Sequence, residues 1–232
     1  MKTNLFLTVT AGRTGTGYVH RLCGMLPNTH SDHESDIPQG KHYWDKKIKH
    51  IESLNVTNYI ETSHLLCKGW LEPLIERRII PNIIILQRSA RDIAKSFFQL
   101  NTIPGRTTTG NIYGLTPNVN TLTQIDSSTL TDYELCYWYC LEIEERQRYY
   151  KKMIEELNGK TFTTSVALLK EIEHFKLFLS FLNIEPTDNI INNYFSLRNN
   201  NVNLKLNQKQ HFPLPNKKLE ESENKVIQLI QK

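Results

Sequence analysis

The eight residues TAGRTGTG, Thr10 to Gly17, follow the apolar stretch NLFLTV and lead directly into YVHRLCGML. The first stretch is typical of a buried β-strand and the last of a helix, so the glycines occupy a strand-to-helix turn. In such a turn the backbone N–H groups and the positive end of the helix dipole meet an anion. The stretch therefore predicts a phosphate-binding turn.

The rest of the chain alternates in the same way between short β-rich segments and helical patterns. Strands are predicted at 4–10, 57–63, 82–87 and 160–165, and helices at 17–26, 66–78, 90–100, 131–157 and 166–183. Strands that alternate with helices pair in parallel through right-handed crossovers. We therefore predict an α/β fold, a three-layer α/β/α sandwich around a mostly parallel sheet.

Composition limits the class of protein. The chain has 232 residues with 39% hydrophobic content, which suits a single domain over 1–232 with one sizeable core. A net charge of +4 is too mild to indicate a nucleic-acid partner. The four cysteines form no C-x-x-C pair, and the apolar stretch LFLTV is too short for a signal peptide or a membrane span. We expect a cytoplasmic protein without a membrane or nucleic-acid partner.

The spacing of the glycines separates the possible phosphate loops. Gly12, Gly15 and Gly17 read G-x-x-G-x-G, whereas the dinucleotide fingerprint is G-x-G-x-x-G. The Walker loop requires a Lys and a hydroxyl residue where this chain has Tyr18 and Val19. Because that Lys contacts the β- and γ-phosphates and that hydroxyl binds Mg²⁺, ATP chemistry is disfavoured. A phosphate turn remains that contains one cation but no metal ligand.

The turn resembles the 5′-phosphosulfate loop of the sulfotransferases that use 3′-phosphoadenosine 5′-phosphosulfate (PAPS). In that family a cation, a hydroxyl residue, Gly and Thr follow the first strand. Here these residues are Arg13, Thr14, Gly15 and Thr16. The resemblance implies that the turn, including Gly12 and Gly17, binds the phosphosulfate, with Arg13 at the reacting centre.

A second motif, IIILQRSARDIAKSFFQL at 83–100, resembles the same family. In the sulfotransferase family the central strand ends in an Arg, and a Ser eight residues later binds the 3′-phosphate together with that Arg. In this chain they are Arg88 and Ser96, on either side of an S-x-x-D helix cap that begins at Ser89. An Arg at the carboxyl end of a buried strand lies where α/β sheets bind ligands, and a guanidinium binds a phosphate through paired charge-assisted hydrogen bonds.

The resemblance implies PAPS as cofactor, its desulfated product PAP (3′,5′-adenosine bisphosphate), and no metal. It is weaker at 161–184, where Thr163 to Ser165 replace the family's residues near the adenine. The family's C-terminal basic clamp on the 3′-phosphate is not recognisable. Arg198, Lys205 and Lys209 are the candidates to replace it.

Two candidates exist for the base that removes the acceptor's proton. His64 follows a strand and resembles the catalytic His of the cytosolic sulfotransferases, and a histidine titrates near neutral pH. The rival is HSDHESDIP, where His33 and Glu34 follow what would be the family's second strand, ahead of the segment at 57–63, a region that supplies a Glu base in other branches of the family. Glu61 is expected to orient His64 or to line the acceptor pocket. A zinc site on HSDHESD is not expected, because it lacks a further ligand.

The remaining segments concern the acceptor. Residues 101–130 are rich in Thr, Asn, Gly and Pro, and a loop of that length suggests a substrate-side function. The following helix carries an aromatic stripe that indicates core rather than pocket, and 198–232 forms a tail with a terminal helix. We expect a small-molecule acceptor, with a glycan or peptide as alternatives. A Mg²⁺-dependent P-loop kinase and a non-catalytic PAP-binding protein are the alternative functions.

Overall fold

A computed structural model describes residues 2–117, 120–199 and 213–230 of the chain. The strands are β1 (Asn4–Val9), β2 (Thr29–Asp32), β3 (Asn58–Glu61), β4 (Asn82–Leu86) and β5 (Thr161–Thr164). The helices are α1 (Thr16–Gly24), α2 (Tyr43–Ser53), α3 (Glu72–Glu76), α4 (Ala90–Gln99), α5 (Thr108–Tyr113), α6 (Asp132–Glu156), α7 (Val166–Leu169), α8 (Ile172–Phe181), α9 (Asp188–Asn199) and α10 (Asn216–Ile230). A 3₁₀ turn spans Ser127–Thr129.

The five strands form one sheet in the order β2-β3-β1-β4-β5, and all four pairings are parallel. The β2–β3 register places His30 beside Tyr59 and Asp32 beside Glu61. The predicted α/β architecture with a parallel sheet is confirmed. Since the strands are parallel, the loops that follow β1, β2, β3 and β4 leave the same edge of the sheet, where α/β proteins bind ligands.

One face of the sheet is covered by α1, α8 and α9. Phe6, Ile84 and Leu86 alternate with residues of the opposite face, and all three are essentially inaccessible to solvent. They pack with Leu22 of α1 and Phe178 of α8 in one apolar cluster. This packing fixes the start of α1, and with it the predicted phosphate turn.

The single helix predicted over 66–78 is wrong, because only Glu72–Glu76 is helical. Gly69 adopts φ +92°, in the left-handed region, which interrupts the right-handed helical path. Pro73 lies at the first helical positions of α3, where its missing N–H is not needed. The glycine and the proline together confine the helix to its last part.

Two further predictions need correction. The helix predicted over 166–183 is two helices, α7 and α8, because Glu171 between them has extended backbone angles (φ −90°, ψ 125°). The segment 101–130 is not wholly irregular, since it contains α5, whose cap is the Thr107 side chain, and the 3₁₀ turn. Helices α2 and α9 were not predicted from the sequence.

The described residues form two compact units. The first comprises 2–10, 14–87 and 147–199 and contains the whole sheet. The second comprises 11–13, 88–146 and 213–230. Among the described helices, none combines the length and the apolar character that crossing a bilayer requires. The cysteines are four buried, unbridged thiols.

Candidate active site

The phosphate turn of the first unit depends on one glycine. Gly15 is the N-cap of α1 and has φ 103° and ψ 27°, a conformation that L-residues rarely adopt. A Cβ at this position would lie 2.4 Å from Cγ2 of Val166. Backbone angle and space thus both require glycine at position 15. The carbonyl of Gly15 accepts from the N–H of Tyr18 at 2.9 Å, so the N–H groups of Thr16 and Gly17 are the first-turn donors of α1 that suit an anion.

The two threonines of the turn have different roles. Thr10 donates its hydroxyl proton to the carbonyl of Leu86 at 2.8 Å, so the 2.6 Å contact between Thr10 and Thr14 has Thr14 as donor. Thr14 therefore ties the turn to the end of β1. For the hydroxyl of Thr16, no hydrogen-bond partner is found within the described residues, although the residue is only 6% exposed. Thr16 is the hydroxyl that suits a ligand.

His33 lies beside this turn. A Cβ built on Gly17 would lie 3.6 Å from the His33 Nε2. The His33 Nδ1 is 3.0 Å from the carbonyl oxygen of Thr62 and, because a carbonyl only accepts, Nδ1 carries the proton. In the neutral ring Nε2 is then the unprotonated nitrogen. The structure thus brings one of the predicted catalytic residues to the phosphate turn.

The two rival bases, His64 and Glu34, are hydrogen-bonded to one another. Nδ1 of His64 lies 2.5 Å from Oε1 of Glu34, and His64 is only 5% exposed. Burial alone raises the pKa of Glu34, but the hydrogen bond and positive charge of His64 outweigh it and hold the pKa below its usual value. The carboxylate accepts from Nδ1–H in both charge states of the ring, and in the neutral imidazole Nε2 is therefore the basic nitrogen.

Glu61 does not orient His64, contrary to one of the sequence expectations. Its carboxylate lies 2.7 Å from Nζ of Lys47 and 2.8 Å from the hydroxyl oxygen of Tyr59, whose one proton it shares with Asp32. The residue is 2% exposed. A buried carboxylate needs such partners, and Glu34 occupies the position that the sequence assigned to Glu61.

The second unit brings together the three residues of the two predicted motifs. Nε of Arg13 donates to Oγ of Ser96 at 3.0 Å, and Nη1 of Arg88 donates to the backbone carbonyl of Arg13 at 2.8 Å. Arg13 is exposed and has a left-handed backbone (φ 68°). The Ser89 side chain caps α4 by accepting from the N–H of Asp92, which confirms the predicted cap. The guanidinium of Arg13 is thus grouped with the residues predicted for the 3′-phosphate.

Sequence reasoning missed the part that Tyr139 plays at this turn. The N–H of Gly12 donates to the Tyr139 hydroxyl at 3.3 Å, and the ring of Phe97 lies 4.9 Å from that of Tyr139. Tyr139 belongs to the aromatic stripe of α6, whose members Tyr133, Trp138 and Tyr139 are at most 1% exposed. Tyr139 thus packs in the core and also accepts a hydrogen bond from the turn. The helical periodicity of the aromatic stripe predicts the core packing but not the hydrogen bond.

The segment predicted to face the acceptor is held by polar contacts of its own unit. Oε2 of Glu142 accepts from the N–H and the hydroxyl of Thr123, both at 2.7 Å, while Oε1 accepts from Nε of Arg146 at 2.7 Å. Arg106 contacts both Asp132 and the carbonyl of Leu130. Of the proposed replacements for the basic clamp, Lys205 and Lys209 lie outside the described residues.

Comparison with solved structures identifies proteins that have a similar fold. No protein-family model matches the chain, and no match is found among the curated proteins. The chain is similar to the sulfotransferase domain from the curacin biosynthetic pathway, at 11% identity and TM-score 0.57 over 99% of this chain and 98% of that one. It is also similar to mouse sulfotransferase SULT7A1 complexed with PAP, at 12% identity and TM-score 0.50 over 85% of this chain and 64% of that one. Identities this low speak for the fold alone: this chain has the sulfotransferase fold.

Proposed function

We propose that the protein is a PAPS-dependent sulfotransferase that transfers a sulfuryl group to a hydroxyl or amine of a small-molecule acceptor. One observation carries the proposal: Arg13 contacts both Arg88 and Ser96, which lie 75 and 83 positions away in the sequence, at 2.8–3.0 Å. Two guanidinium groups and a hydroxyl held together suit a phosphate dianion, which accepts several charge-assisted hydrogen bonds at once. A 3′-phosphate distinguishes PAPS from common nucleotides.

The turn at the start of α1 would bind the 5′-phosphosulfate. The N–H groups of Thr16 and Gly17 and the Thr16 hydroxyl supply hydrogen-bond donors, while the helix dipole favours negative charge. Tyr18 and Val19 are buried, at 6% and 0% exposure, where a Walker loop has its Lys and its Mg²⁺-binding hydroxyl. The transfer proposed here therefore relies on backbone and side-chain donors and not on ATP with Mg²⁺.

In the proposed reaction the acceptor oxygen or nitrogen attacks the sulfur of PAPS. The bond between that sulfur and the bridging phosphate oxygen breaks, and PAP leaves with the electron pair. Nε2 of His64 takes the acceptor's proton, while Glu34 holds the ring in the required tautomer and stabilises the imidazolium that forms. Donors fixed before the reaction stabilise the charge that develops on the departing phosphate.

The contact between Arg13 and Ser96 raises two possible roles for the Arg13 guanidinium, binding of the 3′-phosphate or stabilisation of the reacting centre. If its guanidinium serves mainly the 3′-phosphate, Arg13→Ala weakens PAP binding. If it serves mainly the reacting centre, as the family resemblance implies, the same variant lowers kcat and leaves PAP affinity nearly unchanged. The contact with Ser96 at 3.0 Å favours the first outcome.

Calorimetry with PAP, and separately with ATP plus Mg²⁺, tests the proposal on the intact chain. We expect PAP to bind at one site per chain and ATP to bind weakly, without dependence on Mg²⁺. Absence of PAP binding contradicts the proposal. Tight, Mg²⁺-dependent binding of ATP with turnover that a chelator abolishes supports a P-loop kinase in its place.

The base is tested by PAPS turnover with an acceptor found by screening hydroxylated and amine compounds. We expect His64→Ala to lower kcat by about 10²–10⁴-fold, the usual contribution of a general base, and Glu34→Gln to lower it less. His33→Ala tests the neighbouring histidine as the rival base, since its Nε2 lies beside the phosphate turn, and His42→Ala, at an exposed histidine that pairs with Asp45, is the matched control. A larger loss in His33→Ala than in His64→Ala contradicts the assignment. PAP binding without turnover of any acceptor indicates a non-catalytic binding protein.

A further inference from the structure

Two histidines and an aspartate converge on the edge strand of the sheet, on residues that the proposed transfer does not use. His30 and Asp32 are two positions apart on β2, so their side chains lie on the same face of the strand. His50 comes from α2. Nε2 of His30 lies 3.0 Å from Oδ1 of Asp32, and Nε2 of His50 lies 3.8 Å from Oδ2 of Asp32. The three ligand atoms all lie within 4.8 Å of one another.

These separations suit a metal ion. Zinc bound to nitrogen and oxygen ligands at about 2.0–2.2 Å in a tetrahedron places neighbouring ligand atoms roughly 3.4 Å apart. Two imidazoles and one carboxylate are ligands that Zn²⁺ and related divalent transition metals accept. His30 is partly and His50 well exposed, while Asp32 is mostly buried. An ion can therefore enter from solvent, and water can complete its coordination.

The carboxylate of Asp32 is already oriented by neighbours that would form an outer shell. The Tyr59 hydroxyl donates to Oδ2 at 2.6 Å, and Nζ of Lys47 lies 3.2 Å from the same oxygen. The ring of Tyr59 stacks on that of His30, with centroids 5.9 Å apart and planes within 12°. Outer-shell hydrogen bonds of this kind fix the direction of a metal ligand.

The charge of the cluster also favours a cation. The Lys47 ammonium is shared by the carboxylates of Asp32 and Glu61, with Asp36 approaching at 3.8 Å. Three carboxylates around this ammonium leave a net negative charge, and the histidines are neutral when they act as ligands. A divalent ion would offset that charge.

We propose that His30, Asp32 and His50 bind a divalent transition-metal ion of the zinc class. The segment HSDHESD alone lacks a further ligand, and the fold supplies it from about twenty residues away, as His50 of α2. His33, the other histidine of the segment, turns away to Thr62. The bound ion would join the edge strand β2 to helix α2.

Zinc titration of the chelator-treated, nucleotide-free chain tests the site, with Co²⁺ absorption reporting the coordination. We expect one Zn²⁺ per chain and a visible Co²⁺ spectrum. In His50→Ala both should be lost, or affinity should fall by about a hundredfold or more, since even outer-shell changes cost about 10–100-fold. His42→Ala is the matched control, because His42 is exposed and pairs with Asp45 at 3.0 Å without belonging to the cluster.

Thermal unfolding gives a second readout. Added Zn²⁺ should raise Tm of the native chain and of His42→Ala, but not of His50→Ala, because an ion that binds only the folded state stabilises it. His50 is largely exposed, so its truncation should leave the fold intact. No zinc binding by the native chain, or equal binding by His50→Ala, overturns the proposal and leaves a polar cluster held by Lys47 and Tyr59. Because no nucleotide is present, neither outcome bears on the proposed transferase activity.

Discussion

Arg88 and Arg91 are three residues apart near the start of α4, yet their side chains have opposite kinds of partner within the second unit. Arg91 donates to both oxygens of Glu223 at 2.6–3.1 Å, and the same carboxylate accepts from the Tyr133 hydroxyl at 2.6 Å. Arg88 donates to a backbone carbonyl and approaches the carboxylate of Asp92 only at 3.9 Å. Arg91 is thus neutralised by a buried carboxylate, whereas Arg88, the arginine that we propose binds a phosphate, has no carboxylate closer than 3.9 Å among the described residues.

The difference gives a structural reason to propose Arg88, and not Arg91, for phosphate binding. Glu223 is only 6% exposed, so the pair with Arg91 attaches α10 to the rest of its unit. The Arg88 side chain is 41% exposed, and its one short contact among the described residues is with the backbone carbonyl of Arg13, a neutral group that positions a guanidinium without cancelling its charge. Position in the sequence motif does not separate the two arginines, but their partners do.

Arg88→Ala has the largest expected effect. A charge-assisted hydrogen bond to a phosphate contributes about 1.5–3 kcal/mol, so PAP affinity should fall by roughly 10–150-fold, while the free energy of unfolding should change by less than about 0.5 kcal/mol. Calorimetry and urea unfolding measure the two quantities. Arg21→Ala, at an exposed position of α1, is the control and should alter neither. Unchanged PAP affinity in Arg88→Ala would remove the distinction between the two arginines.

Arg91→Ala should give the reverse pattern. Its loss leaves the mostly buried Glu223 with Tyr133 as its remaining hydrogen-bond donor in the structure, which should lower the free energy of unfolding by about 2 kcal/mol. PAP affinity, measured under conditions where the chain is folded, should change little. If Arg88→Ala destabilises the chain more than Arg91→Ala does, the assignment of roles is reversed.

The pH dependence of stability gives the smallest expected effect. Burial raises the pKa of Glu223, but the hydrogen bonds from Arg91 and Tyr133 outweigh it and hold the pKa below the ordinary value of 4.5. A depressed pKa means that the contribution is complete above pH 4.5 and is lost as the pH falls through the folded-state value. Wild type should therefore exceed Glu223→Gln in stability by about 1 kcal/mol at about pH 7, with the gap closing as the pH falls through the lowered folded-state pKa of Glu223. If the difference in unfolding free energy between wild type and Glu223→Gln grew at acidic pH, the pKa of Glu223 would not be lowered by folding.

Local patterns predicted the part of the fold that local physics determines. The sequence around Gly15 identified the strand-to-helix turn, and the structure adds why glycine is needed there, through φ 103° and the contact with Val166. The S-x-x-D pattern at Ser89 likewise predicted a cap that forms. The prediction of one helix over 66–78 was wrong, because Gly69 has a left-handed backbone that interrupts the helix despite the helical spacing of the apolar residues.

The candidate site depends on contacts between distant residues, and these were only partly predictable. Family resemblance paired Arg88 with Ser96, but periodicity and spacing give no sign that Glu34 contacts His64 across 30 positions. The sequence makes His64 and Glu34 rival bases, whereas in the structure they are hydrogen-bonded partners. His50 joins Asp32 through the packing of α2, a helix that was not predicted.

The role of Arg88 as the residue that binds a 3′-phosphate is tested most directly by comparing two ligands that differ only in that group. PAP and adenosine 5′-phosphate are titrated into the native chain and into Arg88→Ala. We expect the native chain to prefer PAP by about 10–150-fold and the variant to lose most of that preference, because the lost hydrogen bonds are those to the 3′-phosphate. An equal preference for PAP in both proteins, or none in the native chain, would contradict the account.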